Sequence, residues 1–284
     1  MRTLVVDRRD ADRPTEWFTA IEEGHCIIVY QAEYDPTEWT RLCVRQADRI
    51  LLLLAAAARP EAEPPALAVM PTAARGEQIE AVFIHDYTVT SGLNVTDSLA
   101  RYKAGFHYHL RSKRQSDMER LARLVSGRAI GLVFSGGGAR GFAHIGVMRA
   151  FKAAGIPFDL VGGTSMGSMI AAAALEWDEA ETMDHLKRAF VITNPLSDYT
   201  LPLVAIVRGR KVSRLLREHF GEALIEECWR PFFCTSLNLT AGSAKVHRAG
   251  PLWRALRASI AIPGVLPPVI ENSHRRGRDE QSAG

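Results

Sequence analysis

The five residues 163–167, Gly-Thr-Ser-Met-Gly, have a composition and spacing that could support covalent catalysis. They follow a short apolar stretch and precede an alanine-rich stretch, 169–175, that is expected to be helical. In a strand–turn–helix context, the pattern G-x-S-x-G holds a serine in a sharp, strained turn with its hydroxyl exposed. The pattern therefore predicts that Ser165 is a nucleophile, with Gly163 and Gly167 required by the turn. A purely structural turn is the alternative interpretation.

A second glycine-rich turn, Gly-Gly-Gly-Ala-Arg-Gly, lies upstream at residues 136–141. It follows the apolar stretch 129–134 and precedes residues 142–154, whose apolar side chains recur at helical spacing. Unpaired backbone N–H groups at such a helix start attract negatively charged oxygen, whether of a phosphate or of a developing oxyanion. The loop therefore predicts an anion-binding site, and by itself it does not distinguish a phosphate from an oxyanion.

The same loop also matches a nucleotide-binding pattern. Gly136, Gly138 and Gly141 reproduce the G-x-G-x-x-G fingerprint of dinucleotide sites. That fingerprint needs an acidic residue about 20 positions later, at the end of the second strand, to hold the ribose. Asp159 lies instead near the beginning of the second predicted strand, which weakens this interpretation. A nucleotide-binding or catalytically inactive α/β module is therefore the alternative to an enzyme.

Two further groups of residues could form a functional site, but the sequence supports them less strongly. Asp198 and His247 follow Ser165 in the chain order of a hydrolase triad, but several other aspartates and histidines follow it as well. His107 and His109 would share one face of a strand and could bind a metal. Because no further ligand pattern completes that site, the sequence predicts neither a metal nor a cofactor.

The elements that must position these turns fall into two regions. Residues 1–127 contain the apolar runs 26–30, 50–54 and 81–84, which alternate with helical patterns. Short apolar strands alternating with helices are typical of βαβ units around a parallel sheet. This region is predicted to be a smaller α/β region without a catalytic signature, and the chemistry is assigned to residues 128–270.

Composition excludes several classes of protein. The 284 residues are 47% hydrophobic and carry a net charge of +3, too weak a balance to argue for nucleic-acid binding. The four cysteines include no C-x-x-C pair, so neither a disulfide framework nor a zinc site is indicated. The longest apolar run, 50–58, is well short of the roughly 20 residues that span a bilayer. We expect a cytoplasmic protein.

Basic residues cluster at two places in the sequence, and each cluster has two interpretations. The first cluster comprises Arg111, Lys113, Arg114, Arg120, Arg123 and Arg128, around a predicted helix over 117–126. The second comprises Arg208, Arg210, Lys211, Arg214 and Arg217. The first is expected to be the solvated face of a helix docked to the next domain, because Asp117 and Glu119 interrupt the positive charge. The second is expected to be a solvated helical face, because Leu215, Leu216 and Phe220 supply an opposite apolar stripe. A membrane-surface helix and a contact with lipid headgroups are the respective alternatives.

The two glycine motifs together resemble those of patatin-like phospholipases, and the longer run 136–167 looks like their neuropathy-target-esterase branch. The resemblance extends from about residue 17 to residue 272 and includes the segments 45–48, 120–124, 229–234, 238–240 and 256–265. It implies a three-layer α/β/α sandwich with a mostly parallel sheet. It also implies hydrolysis of acyl esters of phospholipids or lysophospholipids, with peripheral contact at the inner face of the membrane.

The resemblance assigns roles by position. Ser165 would be the nucleophile of a Ser–Asp dyad, and the backbone amides of Gly136, Gly137 and Gly138 would form the oxyanion hole. Arg140 and Gly141 belong to the same motif. These are parts that ester chemistry needs, since an acyl group must be transferred to the serine while fixed donors hold the oxyanion.

The aspartate of the dyad is expected in a D-G-[GA] motif shortly after the Ile-Pro-Gly-Val segment at 262–265. Residues 271–284 contain one aspartate, Asp279, and no glycine follows it. This stretch is polar and charged, which is typical of a disordered terminus. From the sequence we therefore expect a hydrolase domain that is incomplete at its C-terminus and a chain of low activity.

Overall fold

The protein divides into two compact units, Met1–Ala129 and Ile130–Gly284, in a computed structural model of the chain. The structure describes residues 2–58, 64–70, 78–89, 95–175, 196–200 and 205–270. Sequence analysis predicts a boundary after residue 127, and the observed division follows Ala129. The predicted disordered tail, 271–284, lies outside the described residues.

The first unit contains two small parallel sheets, one of β1 and β2 and one in the order β3-β4-β5. Its elements in chain order are β1 (Thr3–Val6), α1 (Thr15–Gly24), β2 (Ile27–Tyr30), α2 (Glu38–Gln46), β3 (Ile50–Ala55), β4 (Ile79–His85), α3 (Thr96–Tyr102), β5 (Phe106–Arg111) and α4 (Gln115–Val125). The central strand β4 is buried at most of its positions, as a parallel strand covered on both faces should be.

Helix α4 shows that part of the first basic cluster is internal rather than solvated. Asp117 is buried, and its carboxylate accepts hydrogen bonds from Arg111 Nε at 2.7 Å and from Arg120 Nη1 at 2.9 Å. Arg120 is itself buried and donates to the carbonyl oxygen of His109 at 3.0 Å. The expectation of a solvated face was therefore wrong for Arg111 and Arg120, because a buried carboxylate pairs with both guanidinium groups.

The second unit is built on one four-stranded sheet in the order β6-β7-β8-β9. Its elements in chain order are β6 (Gly131–Phe134), a 3₁₀ helix (Gly138–Phe142), α5 (Ala143–Ala153), β7 (Leu160–Thr164), α6 (Met166–Ala173), α7 (Arg210–Phe220), β8 (Phe232–Asn238), β9 (Ser243–His247) and α8 (Leu252–Ser259). Strands β6, β7 and β8 are parallel, and β9 is antiparallel to β8.

The core of the second unit lies between this sheet and its helices. Leu132 and Phe134 of β6 are buried, whereas Val133 between them is 65% exposed, as the two-residue period of a strand requires. They pack in one cluster with Ile170 of α6 and Leu256 of α8. Helix α6 is thus the buried helix behind the turn that carries Ser165. No helix within the described residues is long and apolar enough to cross a membrane.

Candidate active site

Ser165 occupies the turn between β7 and α6, in a strained backbone conformation. Its φ is 52° and its ψ is −126°, a region that non-glycine residues seldom adopt. Strain of this kind persists only where the surrounding structure holds it, and it concentrates at functional sites. The first-turn N–H groups of α6 lie directly after Ser165, so the positive end of the helix dipole favours negative charge there.

The two flanking glycines are required by close backbone packing. A Cβ at Gly163 would lie 2.5 Å from the carbonyl carbon of Gly167 and 2.7 Å from the amide nitrogen of Ser168. A Cβ at Gly167 would overlap the carbonyl oxygen of Phe134 at the end of β6. The end of β7 can therefore lie this close to the start of α6 only with glycine at 163, and α6 this close to the end of β6 only with glycine at 167.

The upstream glycine loop presents backbone N–H groups at the end of β6. Gly137 has a φ of 150° and Gly138 a φ of 56°, backbone conformations that side-chain-bearing residues rarely adopt. Within the short 3₁₀ helix, the N–H of Arg140 donates to the carbonyl oxygen of Gly137 at 3.2 Å. The N–H groups of Gly138 and Ala139 precede this bond, so they belong to the first turn, which lacks intrahelical acceptors.

The fold brings the two glycine motifs together. Strands β6 and β7 are adjacent and parallel, so the loops that follow them open at the same edge of the sheet. A Cβ at Gly136 would lie 3.2 Å from the Cβ of Ser165, and a Cβ at Gly141 would lie 2.9 Å from that of Met166. The nucleophile candidate and the anion-binding loop are therefore in contact, rather than at opposite edges of the sheet.

Arg140 and His144 border the loop. Arg140 is exposed, and its Nε would lie 3.8 Å from a Cβ placed at Gly137. His144 Nε2 lies 3.1 Å from the carbonyl oxygen of Ser135, and its ring packs at 5.0 Å from that of Phe134. These contacts hold the beginning of α5 against the end of β6, which fixes where the glycine loop lies.

Sequence reasoning missed Ser259 as a part of this site. Ser259 is the last residue of α8, and its Oγ accepts a hydrogen bond of 2.8 Å from the backbone N–H of Ser165. The same hydroxyl donates to the carbonyl oxygen of Thr235 on β8 at 2.7 Å. One side chain thus ties the turn to a neighbouring strand. Ser259 lies in the segment 256–265, which belongs to the family resemblance, but no motif in that segment assigns it a role.

The thiol of Cys234, on the strand next to β7, does not compete with Ser165 as a nucleophile. Cys234 of β8 is opposite Gly163 in the register, and burial raises the pKa of its thiol to about 12. The thiol therefore stays protonated at neutral pH and is inert as a nucleophile.

Ser165 Oγ has no hydrogen-bond partner among the described residues. The aspartate motif expected from the resemblance also has no counterpart among them.

The weaker sequence candidates have other contacts. Asp198 Oδ2 accepts from the N–H groups of Arg210 and Lys211 at the start of α7, and His247 Nε2 lies 2.7 Å from Ser236 Oγ. Asp159, considered above as a ribose ligand, is buried and accepts from the N–H of Ile130 at 3.0 Å. These contacts are structural ones.

The histidine pair considered for metal binding lies in the first unit. His109 Nδ1 is 2.9 Å from Nε2 of the buried His85, and its ring stacks 5.6 Å from that of Phe83. No group of three or more potential ligands (His, Cys, Asp or Glu) able to hold a metal occurs in the part of the chain that the structure describes.

Comparison with known proteins identifies the family. A sequence profile of patatin-like phospholipases matches residues 132–275, and a profile of the neuropathy target esterase family P-loop-like domain matches residues 2–111. The chain belongs to the patatin-like phospholipase family. This confirms the resemblance stated above and the predicted three-layer α/β/α class with a mostly parallel sheet.

Several curated proteins are similar over nearly the whole chain. Patatin-like phospholipase domain-containing protein 6 of Mus musculus is 33% identical over 91% of this chain and 21% of its own length. Patatin-like phospholipase domain-containing protein ZK370.4 of Caenorhabditis elegans is 29% identical over 94% of this chain and 23% of its own. Neuropathy target esterase sws of Drosophila grimshawi is 30% identical over 94% and 20%. The chain thus spans about a fifth of each relative.

Proposed function

We propose that this patatin-like protein is a serine hydrolase that cleaves acyl esters of phospholipids or lysophospholipids. The observation that carries the proposal is the contact between two motifs of complementary chemistry. Ser165 lies in a strained turn at a helix N-terminus, and the glycine loop that presents N–H groups lies against it. Membership in the patatin-like phospholipase family supports a lipid as the substrate.

In the proposed reaction, Ser165 Oγ attacks the ester carbonyl carbon. The carbonyl oxygen becomes an oxyanion, which the backbone N–H groups of the loop Gly136 to Gly138 stabilise. Collapse of this intermediate breaks the bond to the leaving alcohol, which receives the proton of the serine, and leaves an acyl-serine. Water then attacks the acyl-serine, releasing the fatty acid and restoring the hydroxyl. We assign the nucleophile and the oxyanion donors, and we assign no general base.

Peripheral contact with the inner face of a membrane is part of the same proposal, because the substrates are membrane lipids. No cofactor, metal or nucleic acid enters the proposed reaction. No observation in the structure favours the nucleotide-binding alternative, since the acidic residue that it would use for a ribose is buried at the other end of β7.

The test is covalent labelling of the purified chain with a fluorophosphonate, together with hydrolysis of lysophosphatidylcholine. We expect a single labelled peptide that contains Ser165, because the strained turn and the helix N-terminus favour its alkoxide. Hydrolysis should be slow, because no general base is assigned. Ser165→Ala should abolish both labelling and hydrolysis. Ser243→Ala, on the exposed first residue of β9, is the matched control and should change neither. Equal labelling of the wild type and Ser165→Ala would refute the proposal.

A further inference from the structure

The second unit contains a cleft lined by arginines, formed by α7, α8 and the segment 267–269. Its volume is about 890 Å³. Six arginines line it, namely Arg208, Arg210, Arg214, Arg217, Arg254 and Arg257. None of its lining residues belongs to either glycine motif.

The charge in this cleft is strongly unbalanced. Glu218 is the carboxylate among the lining residues, against six guanidinium groups. Asp198 favours the charged form of Arg257; its Oδ2 accepts two N–H groups at the start of α7, and its Oδ1 is buried without a hydrogen-bond partner among the described residues. Asp198 therefore offsets part of the charge of Arg257 and leaves the other five guanidinium groups against Glu218. The cleft therefore has a surplus of positive charge.

Arg257 is the buried arginine among the residues that line the cleft. Its exposed fraction is 4%, and Nη2 donates to the carbonyl oxygen of Pro267 at 3.0 Å. Nε and Nη1 are buried and have no hydrogen-bond partner among the described residues. Burial lowers the pKa of this guanidinium, because removing a charged group from water costs free energy, and the charge of Asp198 opposes this shift. Nε–H and Nη1–H point to opposite edges of the planar group, so each needs an acceptor of its own.

The surrounding residues hold this guanidinium in place. A Cβ at Gly209 would lie 2.6 Å from Arg257 Nη2, so the backbone can approach the guanidinium this closely only with glycine there.

Arg217 lies on the opposite wall of the cleft, on α7. It stacks over the ring of Trp253, with 4.1 Å between its Cζ and the ring centroid. The sequence predicts a solvated face for Arg208 to Arg217, and its five basic residues are exposed. Helix α8 lies opposite them across the cleft.

The cleft lies on a different side of α8 from the nucleophile. Arg254 and Arg257 are three residues apart in α8, so they lie on the same face of the helix, and both line the cleft. Ser259, two residues after Arg257 and so about 200° around the helix, contacts the backbone of Ser165. A ligand in the cleft would therefore be separate from the reacting ester.

We propose that the arginine cleft of the second unit binds a phosphate monoester group, supplied either as a free phosphate compound or as the headgroup of an anionic phospholipid. Guanidinium groups bind phosphate by paired N–H donors, which the exposed arginines of the cleft can supply, and the buried Arg257 adds positive charge beside them. The proposal is independent of the esterase function, because it requires neither Ser165 nor the glycine loop.

The experiment measures binding of radiolabelled inorganic phosphate to the full chain by equilibrium dialysis at constant ionic strength. We expect saturable binding that weakens about tenfold or more in Arg257→Gln, since the anion then loses one of the six positive charges of the cleft. Arg214→Gln, an exposed change in the cleft that should leave the fold intact, should also weaken binding. Arg149→Gln removes an exposed charge from α5, outside the cleft, and should leave binding unchanged, as should Ser165→Ala.

Absence of saturable binding by the wild type would overturn the proposal, as would an equal loss in Arg149→Gln and the cleft variants. If Arg257→Gln fails to fold by circular dichroism, Arg214→Gln decides the result. Sedimentation with phosphatidylcholine vesicles, with and without phosphatidic acid, separates the two sources. Added capture by phosphatidic acid that phosphate competes away assigns the headgroup, and phosphate binding without added capture assigns a free compound.

Discussion

At the scale of single residues, the unusual feature of the site is that a side chain holds the backbone of the nucleophile. The N–H of Ser165 donates to Ser259 Oγ, a residue 94 positions away, and that hydroxyl is itself held by the carbonyl oxygen of Thr235. A turn with φ above zero stores strain, so it needs partners that fix it. Ser259 is therefore a positioning residue for the proposed nucleophile.

Ser259→Ala should slow the reaction of Ser165 with a fluorophosphonate by about tenfold or more, because small displacements of a nucleophile cost rate steeply. The loss of the acceptor also leaves a backbone N–H unpaired, which should cost about 1–3 kcal/mol of stability. The rate of labelling and the melting temperature are the two measurements. Ser259→Thr keeps the hydroxyl and should restore much of the rate, which a purely structural role would not require. An unaltered labelling rate in Ser259→Ala would contradict this role.

At the scale of elements, the site depends on how closely β6, β7 and α6 pack. Gly167, in the first turn of α6, lies against the carbonyl oxygen of Phe134 at the end of β6, and Gly163 at the end of β7 lies against Gly167. The adjacent, parallel pairing of β6 and β7 then brings the glycine loop to Ser165. Glycine at these positions decides the distance between elements, and with it the geometry of the site.

Gly167→Ala should destabilise the second unit by about 1–3 kcal/mol, because the added methyl group must displace a strand backbone rather than a flexible side chain. Gly146→Ala is the matched control, since Gly146 lies inside α5 with open space around its position. That substitution should stabilise the unit by about 0.5–1 kcal/mol. Denaturant unfolding monitored for both variants gives the comparison, and a Gly167→Ala variant as stable as wild type would exclude the close packing.

At the scale of the whole molecule, buried titratable groups make the stability of the first unit depend on pH. The first unit buries His85 beside His109, and burial lowers the pKa of His85 from 6.5 to about 4, with the charge of Arg111 acting in the same direction and that of Asp117 opposing it. Because the unfolded chain takes up this proton at a higher pH than the folded unit, stability should fall as the pH decreases from about 6.5 to about 4.

The expected loss from His85 is on the order of 2–3 kcal/mol. Hydrogen exchange of the amides of β4 and β5, followed over this pH range after correction for the intrinsic rate, measures it. His85→Gln should flatten the pH dependence, whereas His25→Gln, at the end of α1, should not. An equally steep pH dependence in His85→Gln would show that another group is responsible.

Asp117 adds a second window of acid sensitivity at lower pH. Burial raises the pKa of this carboxyl, but the hydrogen bonds from Arg111 and the charge of Arg120 outweigh burial and lower the pKa from 3.8 to about 2. The stability that this carboxylate contributes is present above its unfolded pKa and should be lost as the pH falls from about 4 to about 2. Asp117→Asn should remove this step, as the urea midpoint measured across the window would show.

The sequence by itself determined the local features of this protein. Ser165, its flanking glycines and the loop Gly136 to Gly138 could be predicted because a strand, a turn and a helix are encoded by neighbouring residues. The alternation of strands and helices indicated βαβ units in the first region, whereas the three-layer class was implied by the family resemblance that the motifs carry. The roles of these residues in catalysis stay predictions.

The tertiary structure decided what depends on distant segments meeting. Ser259 could not be assigned a role because its partners lie on β8 and in the β7–α6 turn, far from it in the chain. Arg120 was predicted to lie on a solvated face, yet it is buried. The physical reason is that burial and hydrogen bonding are set by which elements pack together, whereas charge and periodicity report only on the element that carries them.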